Sequence, residues 1–108
     1  MNLLDIEDLR AMVSAKNIFW TEHVALRLRE RKIKRVDVIN CIQNGEIIEQ
    51  YPDDKPFPSC LILGTASIKK PLHTICGLNP DEGIYIITAY YPTLDKWESD
   101  FRTRKAGE

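Results

Sequence analysis

The 108-residue chain has few of the residues that mark many functional classes. Its three cysteines, Cys41, Cys60 and Cys76, are odd in number, far apart and without a C-x-x-C pair. Neither a disulfide framework nor a zinc knuckle is supported, and the cysteines suit small buried hydrophobes in a reducing compartment. The five glycines form no phosphate-cradling loop, and there is no Ser/His/Asp order or paired-carboxylate motif. Only two histidines are present, with no third ligand at metal-binding spacing, so no metal or other cofactor is expected. No apolar run approaches the roughly 20 residues that span a bilayer. The opening MNLLDIEDLR carries Asp5, Glu7 and Asp8 where a signal peptide has cations and an apolar run. The expectation is a cytoplasmic protein without a membrane partner. Charge of one sign is also lacking: 15 Lys/Arg against 16 Asp/Glu leave −1, which excludes a generally basic nucleic-acid coat.

What is present is ordinary globular material, 44% hydrophobic and 29% charged, enough for one domain over residues 1–108. Residues 3–16 place Leu3, Ile6, Leu9, Met12 and Val13 at helical spacing, with Asn17 as a stop. Ile18, Phe19 and Trp20 suffice for a brief strand. Thr21 is placed to cap a second helix, EHVALRLRERK, whose apolar residues are Val24, Leu26 and Leu28. A third helix over 36–44 turns Val36 and Ile39 inward, with Val38 and Ile42 as further candidates. Asn44-Gly45 supplies a left-handed end. The second half changes period: EIIEQY, CLILGTAS, PLHTICGL and GIYIITAYY are β-branched or aromatic runs parted by turn-forming segments. Asp53-Asp54 fits such a turn. The expected architecture is α+β, N-terminal helices packed on a three- to four-stranded antiparallel sheet. Residues 93–108, with Trp97 and Phe101, form a short helix or an ordered tail.

Charge is unevenly spread. Residues 16–35 hold seven Lys/Arg against two Glu, whereas residues 37–54 hold five acids and no base. His23, Arg27 and Arg31 recur every four residues and stack along one side of the second helix, beside Arg29. Such a ladder repels itself unless an anion such as phosphate offsets it, although a solvated face paired to Glu22, Glu30 or the acidic stretch also accounts for it. Alternation puts His73 and Ile75 on one face of their strand and Leu72, Thr74 and Cys76 on the other. An imidazole there could serve as general acid or base, or as a hydrogen-bonded structural group. In the last strand Ile84, Ile86, Thr88 and Tyr90 share a face by alternation. Tyr90, near its end, could stack on a base or simply close the core.

The order Thr21-x-His23-x-x-x-Arg27-Leu28-x-x-Arg31-x-Ile33, followed by Asn44-Gly45-Glu46-Ile47-Ile48-Glu49 and Tyr51-Pro52-Asp53-Asp54, resembles the family called domain of unknown function 4258. Cys60-Leu61-Ile62-Leu63-Gly64, Pro71-Leu72-His73, Ile87-Thr88-Ala89-Tyr90-x-Pro92 and the tail Trp97-Glu98-x-Asp100-Phe101-x-x-Arg104-Lys105 extend the resemblance over about residues 18–105. It implies a fold similar to RelE/ParE-like toxins and the toxin part of a toxin–antitoxin-like pair, a metal-independent endoribonuclease. The alternatives are a non-enzymatic interaction module of the same fold and a gyrase-targeting toxin-like protein. In the nuclease reading His23, His73 and Tyr90 are the catalytic candidates, and Arg27, Arg31 and Arg29 bind phosphate. The partners would be RNA, ribosome-bound mRNA included, and a cognate antitoxin, a small zinc-finger protein being the associate that the tail implies.

Overall fold

The computed structural model describes residues 3–106. Three helices, α1 (Ile6–Ser14), α2 (Glu22–Glu30) and α3 (Arg35–Asn44), pack on one five-stranded sheet. Its strands are β1 (Ile18–Phe19), β2 (Glu46–Tyr51), β3 (Ser59–Thr65), β4 (Pro71–Asn79) and β5 (Gly83–Tyr90), in the spatial order β1-β5-β4-β3-β2. The antiparallel meander β2–β5 has the expected strands. The expected count of three or four is exceeded because Ile18-Phe19 adds a parallel edge strand against Ile84 and Tyr85. The α+β sheet is therefore mixed.

Local chemistry sets the helix ends. Asp5 caps α1 through Glu7 N–H, and the Thr21 hydroxyl accepts from Val24 N–H at 3.1 Å, as expected of that cap. α1 and α2 close with left-handed lysines, Lys16 (φ 63°) and Lys32 (φ 57°). In each, the next residue's N–H reaches back five positions: Asn17 to the Met12 carbonyl and Ile33 to that of Leu28, both 2.9 Å. The turn after α1 is thus made by Lys16, with Asn17 one step beyond. Gly45 has extended backbone (φ −88°, ψ −168°), not the left-handed conformation expected. Glycine is required there for space, since a Cβ would fall 2.4 Å from the carbonyl oxygens of both Cys41 and Leu63.

The helix-side core joins Leu9, Val13, Val24, Leu28, Ile33, Val38, Cys41 and Ile42 to Cys60, Ile62, Leu72, Cys76, Ile84, Ile86 and Ala89 from the sheet. Val36, expected inside, is 63% exposed, and Leu26, one of the apolar residues of α2, is 51% exposed. The buried faces run through Val24/Leu28 and Val38/Cys41/Ile42, and each of the two exceptions lies about 100° per residue off that line. Arg10 of α1 ties the end of α3, its guanidinium donating to the Ile42 and Gly45 carbonyls at 3.1 and 2.7 Å. All three cysteines are buried and unpaired, and burial pushes the Cys41 thiol up to about 11. Burial thus leaves none of the three thiols placed as a nucleophile.

A bulge in β5 decides where the polar residues go. Ile75 pairs with Thr88 but Cys76 with Ile86, leaving Ile87 as the extra residue. Ile84 and Ile86 face the helices, whereas Thr88 and Tyr90 face the opposite side, opposite Ile75 and His73. The single face expected for Ile84, Ile86, Thr88 and Tyr90 is split at that point.

A candidate site between the sheet and the C-terminal tail

The face of the sheet away from the helices carries His73 and Ile75 of β4, Leu61 of β3, Tyr90 of β5, and Glu46, Glu49 and Tyr51 of β2 by register. Residues 93–106 lie over it as a looped tail, without helix; the last two residues of the 93–108 segment are outside the described range. The tail turns back on itself through a Trp97–Arg104 bridge, and Phe101 takes a left-handed conformation at its bend (φ 55°). The Asp100 carboxylate accepts from Arg102 N–H and Thr103 N–H, both at 3.0 Å, fixing that bend.

His73 is fully buried beneath the tail. Its Nε2 lies 2.7 Å from the Phe101 carbonyl oxygen, which can only accept, so Nε2 carries the proton. Nδ1 is then the acceptor, and the Tyr90 hydroxyl donates to it at 3.2 Å. Trp97, only 3% exposed, sets its ring edge-on to the imidazole at 4.6 Å, and Tyr90 does so at 5.3 Å. Burial lowers the His73 pKa below its ordinary value; the Phe101 hydrogen bond and Glu49 oppose that shift, and Arg104 adds to it. The ring is neutral at pH 7, with both nitrogens in use.

Around this pair stands a charged clasp. Arg104 donates from Nε and Nη2 to the two Glu49 carboxylate oxygens at 2.8 and 3.0 Å, and lies over the Trp97 ring at 4.6 Å. Tyr51 donates its hydroxyl to Glu49, and Arg102 pairs with Glu46. The hydrogen bond from Arg104 holds Glu49 below the usual carboxylate range, while burial and Glu49 push Tyr51 up to about 12. Burial likewise raises the Tyr90 phenol, with the Arg104 and Arg31 charges opposing it. The acidic β2 thus pairs with the tail's arginines, not with those of α2. This clasp of Glu49, Tyr51, Trp97 and Arg104 was not singled out from the sequence as a site, although acids at 46 and 49 and arginines at 102 and 104 carry the complementary charges.

The α2 ladder divides in space. Arg31, just after the helix, donates from Nη1 to the Thr88 hydroxyl and the Ala89 carbonyl, both at 2.9 Å. That reach takes it past the end of β1 to the free stretch of β5, beside Tyr90. Arg27 pairs with Glu30 at 3.3 Å in solvent, and Arg29 makes no side-chain hydrogen bond among the described residues. His23 is exposed in the first turn of α2, about 12 Å along the helix from Arg31. The structure therefore gathers Arg31, Tyr90 and His73, and leaves His23, Arg27 and Arg29 along an outer helix face. Among the described residues no three His, Cys, Asp or Glu side chains converge on a metal-sized site, and no helix is long and apolar enough to cross a membrane.

No curated protein and no solved structure matches the chain. The family profile described as Domain of unknown function (DUF4258) matches residues 20–91, from the residue before the Thr21 cap to the one after Tyr90. Two-thirds of the chain lies in that match, α2, α3 and all four long strands included, and the protein belongs to the DUF4258 family.

Proposed function

We propose that this protein is a metal-independent endoribonuclease, the toxin-like member of a pair restrained by a cognate antitoxin, on a fold like that of RelE/ParE toxins. The observation that carries the reading is the Tyr90–His73 hydrogen bond beside Arg31, where a half-exposed phenol is backed by an imidazole of fixed tautomer. Cleavage of RNA without a metal needs a base for the 2′-hydroxyl and cations for the charge that builds on phosphorus. His73 cannot touch a substrate beneath the tail, so it acts through Tyr90. The 2′-hydroxyl proton passes to the Tyr90 oxygen as the Tyr90 proton passes to Nδ1 of His73. The 2′ oxygen bonds to phosphorus, the bond to the 5′ oxygen breaks, and that oxygen takes a proton from solvent. His73 later returns its proton through Tyr90, and the charges balance. Arg31, beside Tyr90 at the free edge of β5, supplies a guanidinium for the phosphate. Arg27 and Arg29 extend the cationic track, with His23 beyond them on the same helix, for flanking nucleotides, including those of an mRNA on the ribosome. A small zinc-finger protein is the antitoxin candidate.

The test is incubation of single-stranded RNA with purified protein in chelator, with and without ribosomes, scoring 2′,3′-cyclic phosphate ends. Wild type should cut and Tyr90→Phe should not, while both keep the same far-UV circular dichroism. Intact RNA under every condition would sink the enzymatic reading. One observation favours a second account: both His73 nitrogens are bonded within the chain, as in a structural histidine of an interaction module. That account gains if His73→Asn keeps antitoxin binding and wild type never cuts.

A further inference from the structure

Beside Tyr90 the tail leaves a cleft of about 400 Å³, bordered by Tyr91 and Thr93 at the end of β5 and by Lys96, Trp97 and Arg104 of the tail. We infer that this cleft is a binding subsite for one unstacked nucleotide of single-stranded RNA, a deepening that rests on the RNA-directed reading above. The volume is near the small end for ligand clefts, about 300–1,000 Å³, which suits one nucleotide and not a run of them.

The lining has the two chemistries a nucleotide presents. The Arg104 guanidinium, itself backed by the Trp97 ring, offers a flat surface to a base, and the Tyr90 ring borders the same cleft. Arg104 spends Nε and Nη2 on Glu49, which fixes its plane and leaves Nη1 free of protein bonds among the described residues. For the phosphate there is Lys96, exposed and unpaired among the described residues, with Arg31 near Tyr90. Glu49 is consumed by Arg104 and Tyr51 and Asp95 accepts from the Thr93 hydroxyl, and neither carboxylate lines the cleft, whose charged residues are Lys96 and Arg104. An acidic peptide would use the cations but leave the stacking surfaces idle. A duplex cannot enter, because its bases are already stacked.

The deciding experiment titrates the full chain, in a Trp20→Phe background that leaves Trp97 as its one tryptophan, with a 2′-O-methyl pentanucleotide that cannot be cut. The expected result is quenching of Trp97 fluorescence. Lys96→Glu should weaken binding about tenfold and lower the salt slope by about 0.7, and Arg104→Lys, which keeps a cation on Glu49 but loses the flat guanidinium, should weaken it about tenfold through lost stacking. Lys55→Glu, in the β2–β3 loop, should change neither. Equal binding by Lys96→Glu, equal affinity for a duplex, or equal affinity for a pentaglutamate peptide would each overturn the subsite. Parallel cleavage of an unmodified pentamer separates the two claims. Cutting that ignores the Lys96 and Arg104 substitutions removes the subsite and keeps the nuclease, whereas specific binding without cutting does the reverse.

Discussion

The two faces of the sheet are built by different physics. On the helix side, Leu72, Cys76, Ile84 and Ile86 meet Val38, Cys41 and Ile42 in an apolar layer with few polar atoms to satisfy. Many side chains of similar shape would fill that layer. On the tail side, the same strands present His73, Tyr90, Glu49 and Tyr51, and a stretch with no regular secondary structure covers them through specific hydrogen bonds and one bidentate ion pair. Burying polar groups stabilises only when each finds its partner. The helix face therefore supplies most of the stability by burial, and the tail face holds reactive groups in place with a smaller contribution that depends on every partner being present.

That contrast can be broken experimentally. Ile42→Ala, in the apolar layer, should lower global stability by about 2–5 kcal/mol, read as a shifted urea midpoint with unchanged slope. Trp97→Ala removes an equally buried side chain, yet the tail can open while the sheet stays folded. Its cost is capped by the free energy of that local opening, below the global value. Amide exchange should accelerate over 93–105 but not in β3 and β4, and the His73 pKa, followed by NMR, should rise towards its ordinary value. A matching global loss in both variants would mean that the tail is part of one cooperative core.

Acid should separate the faces next. Glu49 has a lowered pKa, so its clasp is complete above the ordinary carboxylate value near 4.5 and is lost as pH falls through the folded value. His73 also has a lowered pKa, so below about 6.5 the unfolded chain binds more protons than the fold does, and stability declines with falling pH. Both effects loosen the tail in acid. The urea midpoint should fall from pH 7.5 to pH 5, and Trp97→Ala should flatten the His73 part of that slope. The smallest effect belongs to neither face: Arg27→Ala on the outer side of α2 should cost at most a few tenths of a kcal/mol, since its pair with Glu30 is half exposed.

Local features were legible in the sequence, and distant pairings were not. The four long strands show as β-branched runs between turn-forming segments, and the Thr21 cap as a hydroxyl before an apolar-periodic stretch. The parallel partner of Ile18-Phe19 lies 66 residues on, beyond anything a two-residue pattern can specify. Alternation misplaced Tyr90 because one bulge residue, Ile87, inverts every face after it. Gly45 shows a different limit: glycine before a strand suggests φ above zero, whereas here it admits two carbonyl oxygens. For the site, His73, Tyr90 and Arg31 were named from residue type and spacing. Their union with Glu49 and Arg104 depends on a tail whose path no periodicity encodes.

The position of β1 has a consequence for the chain as it is made. Ile18 pairs with Ile84, and the Asn17 carbonyl accepts from Ile84 N–H at 2.9 Å, so the first strand synthesised waits for the last. Consecutive strands β1 and β2 occupy opposite margins of the sheet, which cannot close until β5 has left the ribosome. Until then the apolar sides of α1, α2 and α3 have only a partial sheet to cover them, and contacts of such sequence separation form slowly. A partner or chaperone present during translation would meet those sides exposed, and the nascent chain, unlike the finished one, would be the aggregation-prone species.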